Sequence, residues 1–155
     1  MFTKLLITFL ISMVPVIELR GAIPSAIAMD IEPWLACTLS VIGNMIPVPF
    51  ILLFIRKIFV WMKRYEKLEK IVTKLENRAA SKSESVKKYE LIGLCLLVAI
   101  PLPGTGAWTG ALVAALMDMR FRRALPIIFL GVVIAGIVVT LVTTLGIGAL
   151  DFLKG

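Results

Sequence analysis

Two stretches of this chain, Trp34–Ile55 and Leu125–Leu150, carry no charged side chain at all. A helix of either length, rising ~1.5 Å per residue, spans the ~30 Å hydrocarbon core of a bilayer. A chain with two such runs folds with lipid as its solvent, where every backbone polar group must be satisfied from within. Composition agrees: 59% of the 155 residues are hydrophobic and only 17% charged, and the mean hydropathy is +0.98. Soluble domains lie nearer half apolar and a quarter charged.

The net charge is +7 with no histidine. The basic residues gather at the ends of apolar runs, which is how orientation signals are distributed, not a nucleic-acid-binding face. No nucleic-acid partner is expected. Two cysteines, Cys37 and Cys95, both in apolar stretches, read as small hydrophobes; without histidine they make neither a disulfide framework nor a zinc site. No metal or other cofactor is expected. The amino terminus resembles a signal peptide only in part. Glu18 and Arg20 interrupt the layout between the apolar core and the "AIA" at Ala26–Ala28, so the segment is expected to be retained.

Two further apolar stretches are broken. Leu91–Met117 is uncharged but holds "IPLPGTGAWTG", with Pro101, Pro103, Gly104, Gly106 and Gly110 in close succession. Proline removes donors and glycine permits otherwise forbidden backbone angles, so this is a turn at membrane depth. Charge supports a re-entrant path. The Arg56–Glu90 segment carries eleven Lys/Arg and five Glu, which places it in the cytoplasm. If Leu91–Met117 crossed the bilayer, Arg120, Arg122 and Arg123 of "DMRFRR" would land outside. If it enters, turns and leaves on the same side, those arginines are cytoplasmic. Leu5–Met29 has a similar break, "VPVIELRGAIP", with Pro15, Gly21 and Pro24.

The halves compare at an offset of 88, where Pro15, Asp30 and Gly43 fall on Pro103, Asp118 and Gly131. Each half reads as apolar arm, Pro/Gly turn, small-residue arm ending in Asp, then a long span. With one full span per half, the second unit is inverted relative to the first, and the hairpin tips meet near the midplane. The expected fold is therefore an all-α integral membrane protein with two inverted repeats. Residues 1–55 form the first repeat (hairpin 5–30, span 34–55) and 91–150 the second (hairpin 91–117, span 125–150). Residues 56–90 join them as a basic cytoplasmic amphipathic helix and linker.

Glu18 and Arg20 are the anomaly. A charge at a helix centre costs about 2.5–3.5 kcal/mol on insertion scales, and intramembrane ionisable residues are by default functional. The competing reading is a pair that snorkels near an interface, or a salt bridge that fixes the hairpin. The second turn offers the Thr105 and Thr109 hydroxyls, the Trp108 indole N–H and glycine backbone amides. A helix amino terminus following such a turn suits an anion. For Trp108 alone, space-filling is the simpler role. The expected substrate or proton site comprises Glu18, Arg20, Gly21, Pro24, Pro101, Pro103, Gly104, Thr105, Gly106, Trp108 and Thr109. Asn44 is expected to hydrogen-bond across helices, and Pro47 and Pro49 to kink their span.

In the 56–90 segment, Tyr65, Leu68, Val72, Leu75 and Ala79 recur at helical spacing, and Glu66 and Lys70 stand four apart. Such a helix lies on anionic lipid or pairs with a second subunit, and "RAASKSES" (Arg78–Ser85) reads as a break. Two spans and two hairpins enclose little volume, so a homodimer is expected.

"PVIELRGAIP" followed by "PLPGTGAWTGALVAALM" closely resembles the small multi-drug export protein family of bacteria and archaea, over nearly the whole chain. That family is similar to a compact form of the DedA-type membrane proteins, described as paired re-entrant hairpins and implicated in moving lipid carriers such as undecaprenyl phosphate. The resemblance implies transport, with Glu18 and Arg20 as the acid–arginine pair of the first hairpin. The chain lacks the additional helices and the further arginines and acids of DedA proteins. An enzyme is not expected, because hydrolysis or acyl transfer needs a nucleophile with a base, or a metal.

The expected function is export of an amphiphilic or anionic substrate, lipid-like ones included, through a midplane site, with proton coupling through Glu18. The alternatives are a lipid-phosphate flippase of DedA type and a non-transport structural or regulatory protein. The expected location is the cell (plasma) membrane, multi-pass, with loops 56–90 and 118–123 in the cytoplasm.

Overall fold

Val14, which precedes Pro15, takes an extended conformation and ends the first helix, as sterics before proline require. A computed structural model describes residues 1–65, 68–74, 76–77, 90–102 and 104–154. Among them all regular structure is helical. In order the helices are α1 (Phe2–Met13), α2 (Glu18–Ala28), α3 (Pro33–Met45), α4 (Pro47–Met62), α5 (Glu90–Ala99), α6 (Ala107–Leu116) and α7 (Phe121–Lys154). Residues 68–74 and 76–77 are also helical.

Two helices are long and apolar enough to cross a membrane, Pro33–Ile55 and Phe121–Gly148. The first is interrupted at Ile46, where Pro47 begins α4; a proline at N1 starts a helix but ends the hydrogen-bond ladder before it. Trp34 at one end of this pair and Trp61 at the other are both exposed, as in the aromatic belts of membrane spans. The helix α7 begins at Phe121, four residues before the expected span, so Arg122 and Arg123 lie in its first turn, both exposed. Likewise α4 runs to Met62, past the expected end at Ile55.

Helix boundaries recur along the chain. Pro33 and Phe121 begin helices, and Ala28 and Leu116 end them; each pair stands 88 positions apart. Asp30 and Asp118 both take left-handed backbone, φ 62° and 58°. Both close the same C-cap: Ile31 N–H donates to Ala26 O (3.1 Å), and Met119 N–H to Ala114 O (3.0 Å), the six-to-one bond of a Schellman motif. Packing follows the same scheme. The pair α1 and α3 matches α5 and α7, while α2 packs against α7 and α6 against α4. Lys4 Nζ donates to Met29 O at 2.7 Å, which brings the first turn of α1 beside the end of α2.

The core runs through Leu19, Ile23, Leu94, Val98, Val113, Ile128 and Val132. Thr8, Ser12, Ser40, Asn44 and Thr140 are buried with it, while Phe50, Leu53, Phe54, Leu130, Val142 and Leu145 face outward. Polar groups inside and a continuous apolar exterior invert the pattern of a soluble domain, in which large exposed apolar patches are rare.

Between α4 and α5, Val72 is buried and Lys63 pairs with Glu76 at 2.8 Å. Glu66, Leu75, Ala79 and the expected break at 78–85 lie outside the described residues, as does Pro103.

Candidate functional site

Both helix breaks leave backbone groups without partners. A helix cannot satisfy its own last carbonyls or first amides, and no water in hydrocarbon does so, at a cost of several kcal/mol per group. The break between α5 and α6, residues 100–106, therefore needs an acceptor at the start of α6 and donors at the end of α5.

Glu18 supplies the acceptor. Its carboxylate takes the Ala107 N–H (3.3 Å) and the Trp108 N–H (3.1 Å), the first two amides of α6, where the helix dipole favours negative charge. Arg20 supplies the donors. Its guanidinium gives hydrogen bonds to the carbonyls of Ile100 (3.1 Å), Thr105 (2.9 Å), Leu102 and Val98 (3.5 Å), and to Thr105 Oγ1 (3.0 Å). The carboxylate caps the start of α6, while the guanidinium spans the break from the Val98 carbonyl to Thr105. Their spacing of two is what does this: one residue reaches α6 and the next but one reaches the end of α5.

The first break carries strain. Val16 and Glu18 have φ of 84° and 51°, left-handed values that cost on the order of 1–3 kcal/mol each and gather at functional sites. This places the Glu18 side chain against the other half of the chain. Trp108 reciprocates, its Nε1–H donating to Met13 O (3.2 Å) at the end of α1. Trp108 thus does more than fill space.

Gly106 is the close neighbour that makes this possible. Its φ is 130°, and a Cβ there would collide with the Glu18 carboxylate. Asn44, fully buried, lies beside Glu18, Arg20, Gly106 and Ala107 in an interior void without room for a water molecule.

On its other side Glu18 borders a cavity of about 430 Å³ between the two breaks. Pro15, Val16, Gly104, Thr105, Trp108, Thr109 and Leu112 line it, with Ile51, Ile55 and Phe59 of α4 as the opposite wall. Five of the expected site residues therefore share one space: Glu18, Gly104, Thr105, Trp108 and Thr109. Arg20, half-buried, and Gly106 line the small void behind Glu18 and not this cavity. Gly21 and Pro24 lie in α2 and Pro101 is exposed at the break, none of them lining the cavity. A wider depression along Glu69, Lys70, Thr73, Lys74 and Asn77 is open and has no buried polar group; the smaller cavity is the one that meets the chemistry.

Sequence reasoning missed Ile51, Ile55, Phe59 and Leu112, because apolar residues in an apolar run carry no mark of which side faces a cavity. It also expected the α6 amino terminus to await an external anion, and the Glu18 carboxylate occupies that place.

The family model described as "Putative small multi-drug export protein" matches residues 18–138. The chain belongs to this family and is a membrane protein. The match begins at Glu18 itself and takes in both brackets of the second break. No curated protein and no solved structure matches the chain.

Proposed function

We propose that this member of the small multi-drug export family is a membrane exporter, and that the cavity between its two helix breaks is the path its substrate takes. One observation carries the reading: two breaks from distant parts of the chain meet around an apolar cavity with the Glu18 carboxylate in its lining. Ligand sites are clefts of roughly 300–1,000 Å³, mostly apolar, with few convergent polar groups.

In this reading the breaks are the tips of two re-entrant hairpins, α1–α2 and α5–α6, in repeats of opposite orientation. Three observations support it. The first turn of α1 sits beside the end of α2 through Lys4 and Met29. Helix boundaries and left-handed aspartates recur at the offset of 88. Glu18 touches Gly106, its own counterpart at that offset, as residues beside a pseudo-two-fold axis do. The proposed topology puts Lys4 and Asp30 outside, with residues 56–90 and 118–123 in the cytoplasm of a plasma-membrane protein. A homodimer completes the enclosure.

Glu18 and Arg20 hold the second break in place, and Glu18 also faces the substrate and takes and releases the coupling proton. No bond of the substrate is made or broken. In everted vesicles containing the protein, Leu112→Trp fills the cavity without touching Glu18 or Arg20. It is expected to leave the protein assembled and to abolish movement of amphiphilic dyes. Dye movement equal to that of the unaltered protein would refute the cavity as the path.

A further inference from the structure

The cavity's polar groups also indicate the sign of what it accepts. Among the described residues, three side chains in its lining have a neutral N–H or O–H to donate, and each gives it to a backbone carbonyl. Thr109 Oγ1 donates to Gly104 O (3.1 Å) and Trp108 Nε1 to Met13 O (3.2 Å). Thr105 Oγ1 lies 2.8 Å from both Ile100 O and Leu102 O. What these groups retain for a ligand is lone pairs and an aromatic face.

Charge points the same way. Among the described residues of the lining, Glu18 is the single ionisable one. Arg20 lies behind it, outside this lining, and its terminal guanidinium nitrogens donate to the carbonyls of Val98, Ile100, Leu102 and Thr105. Both of its terminal nitrogens are committed to protein oxygens, four carbonyls and the Thr105 hydroxyl. An anion entering here would meet a carboxylate and lone pairs with no side-chain donor to replace its water, and that desolvation is costly.

We propose that the ligand of this cavity is a lipophilic monovalent cation of drug-like size, whose charge lies against Glu18 and whose apolar body lies against Ile51, Ile55 and Leu112. The inference rests on the cavity being the substrate site, and it replaces the anion expected from the sequence. Both Glu18 carboxylate oxygens already accept an amide, so the favoured charge is one shielded by alkyl or aryl groups, such as a quaternary ammonium or phosphonium, and not one that demands several directional bonds. The rings of Trp108 and Phe59 add attraction for a cation at their faces.

Tetraphenylphosphonium and tetraphenylborate have the same shape and opposite charge, so they isolate sign from size. Binding of each is measured by calorimetry on the purified full chain in detergent, for the unaltered protein, Ile55→Trp and Glu18→Gln. The expected result is phosphonium binding at least tenfold tighter than borate, lost in Ile55→Trp and weakened tenfold or more in Glu18→Gln. Equal or tighter borate binding that Ile55→Trp abolishes would overturn the cationic class while leaving the cavity as the site. Binding of neither ion, or binding that Ile55→Trp leaves intact, would overturn the cavity and the cationic class together. The comparison of signs is made on the unaltered protein, so it decides the matter even if Glu18→Gln does not fold.

Discussion

Glu18 and Gly106 stand 88 positions apart in the chain and touch in the fold, the carboxylate filling the space that a Cβ at position 106 would need. One residue supplies the side chain and its counterpart supplies the gap. Gly106→Ala is therefore opposed twice, by its φ of 130° and by collision with Glu18. Left-handed and related strained conformations cost about 1–3 kcal/mol, so thermal unfolding in detergent should fall by at least that equivalent. An Ala variant as stable as the parent would show that the two halves do not meet here.

Arg20 gives hydrogen bonds to four carbonyls and a hydroxyl around one break. A lysine ammonium carries the same charge but has three donors on a flexible stem and cannot span that set. Hydrogen bonds involving a charged group contribute about 1.5–3 kcal/mol each. Arg20→Lys should thus lose stability nearly as badly as Arg20→Gln, measured as the yield of monodisperse protein after heating. If Lys restored what Gln lost, charge alone would be sufficient and the bracketing of the break would be wrong.

Trp108→Phe keeps the aromatic face on the cavity and removes the bond from Nε1 to Met13 O. A typical hydrogen bond contributes about 0.5–1.5 kcal/mol net, and the expected loss lies in that range. Binding of an apolar ligand should change little, because the ring remains. Loss of binding at unchanged stability would mean that the indole N–H serves the ligand and not α1.

Gly43 and Gly131 stand 88 positions apart, at positions that the proposed repeat makes equivalent. A Cβ at Gly43 would lie 2.8 Å from Phe9 O on α1, and one at Gly131 would lie 2.9 Å from Cys95 O on α5. Ser12 Oγ and Val98 Cβ would lie closer still, but the backbone oxygens are obstacles that do not rotate away. Overpacking costs about 1–3 kcal/mol, so Gly43→Ala and Gly131→Ala should each lower the unfolding temperature, and by similar amounts. A large loss in one with none in the other would break the equivalence of the α1–α3 and α5–α7 pairs.

The helix breaks and their charged guests were legible in the sequence, and their mutual relation was not. Pro15, Pro101, Gly104 and Gly106 act on their own backbone, so local composition reveals them. Glu18 and Arg20 stood out because charge in an apolar run is costly. What they are for depends on groups more than 80 positions away, and no local pattern encodes which carbonyl a guanidinium will find. The kink at Ile46 followed from Pro47 and Pro49. The early start of α7 did not, because Arg122 and Arg123 read as loop although an exposed first turn accepts them. Ile55 and Phe59 look like their lipid-facing neighbours until the fold shows which side of α4 faces the cavity.

The orientation of the two hairpins is tested most directly by labelling single cysteines from each side of the membrane. Cys37 and Cys95 are replaced by alanine, and one cysteine is placed in turn at Thr3, Asp30 or Arg120. With both hairpins re-entrant, an impermeant maleimide reaches positions 3 and 30 from outside and position 120 from the cytoplasm. Labelling of 3 and 30 from opposite sides, or of 120 from the same side as 30, would contradict it.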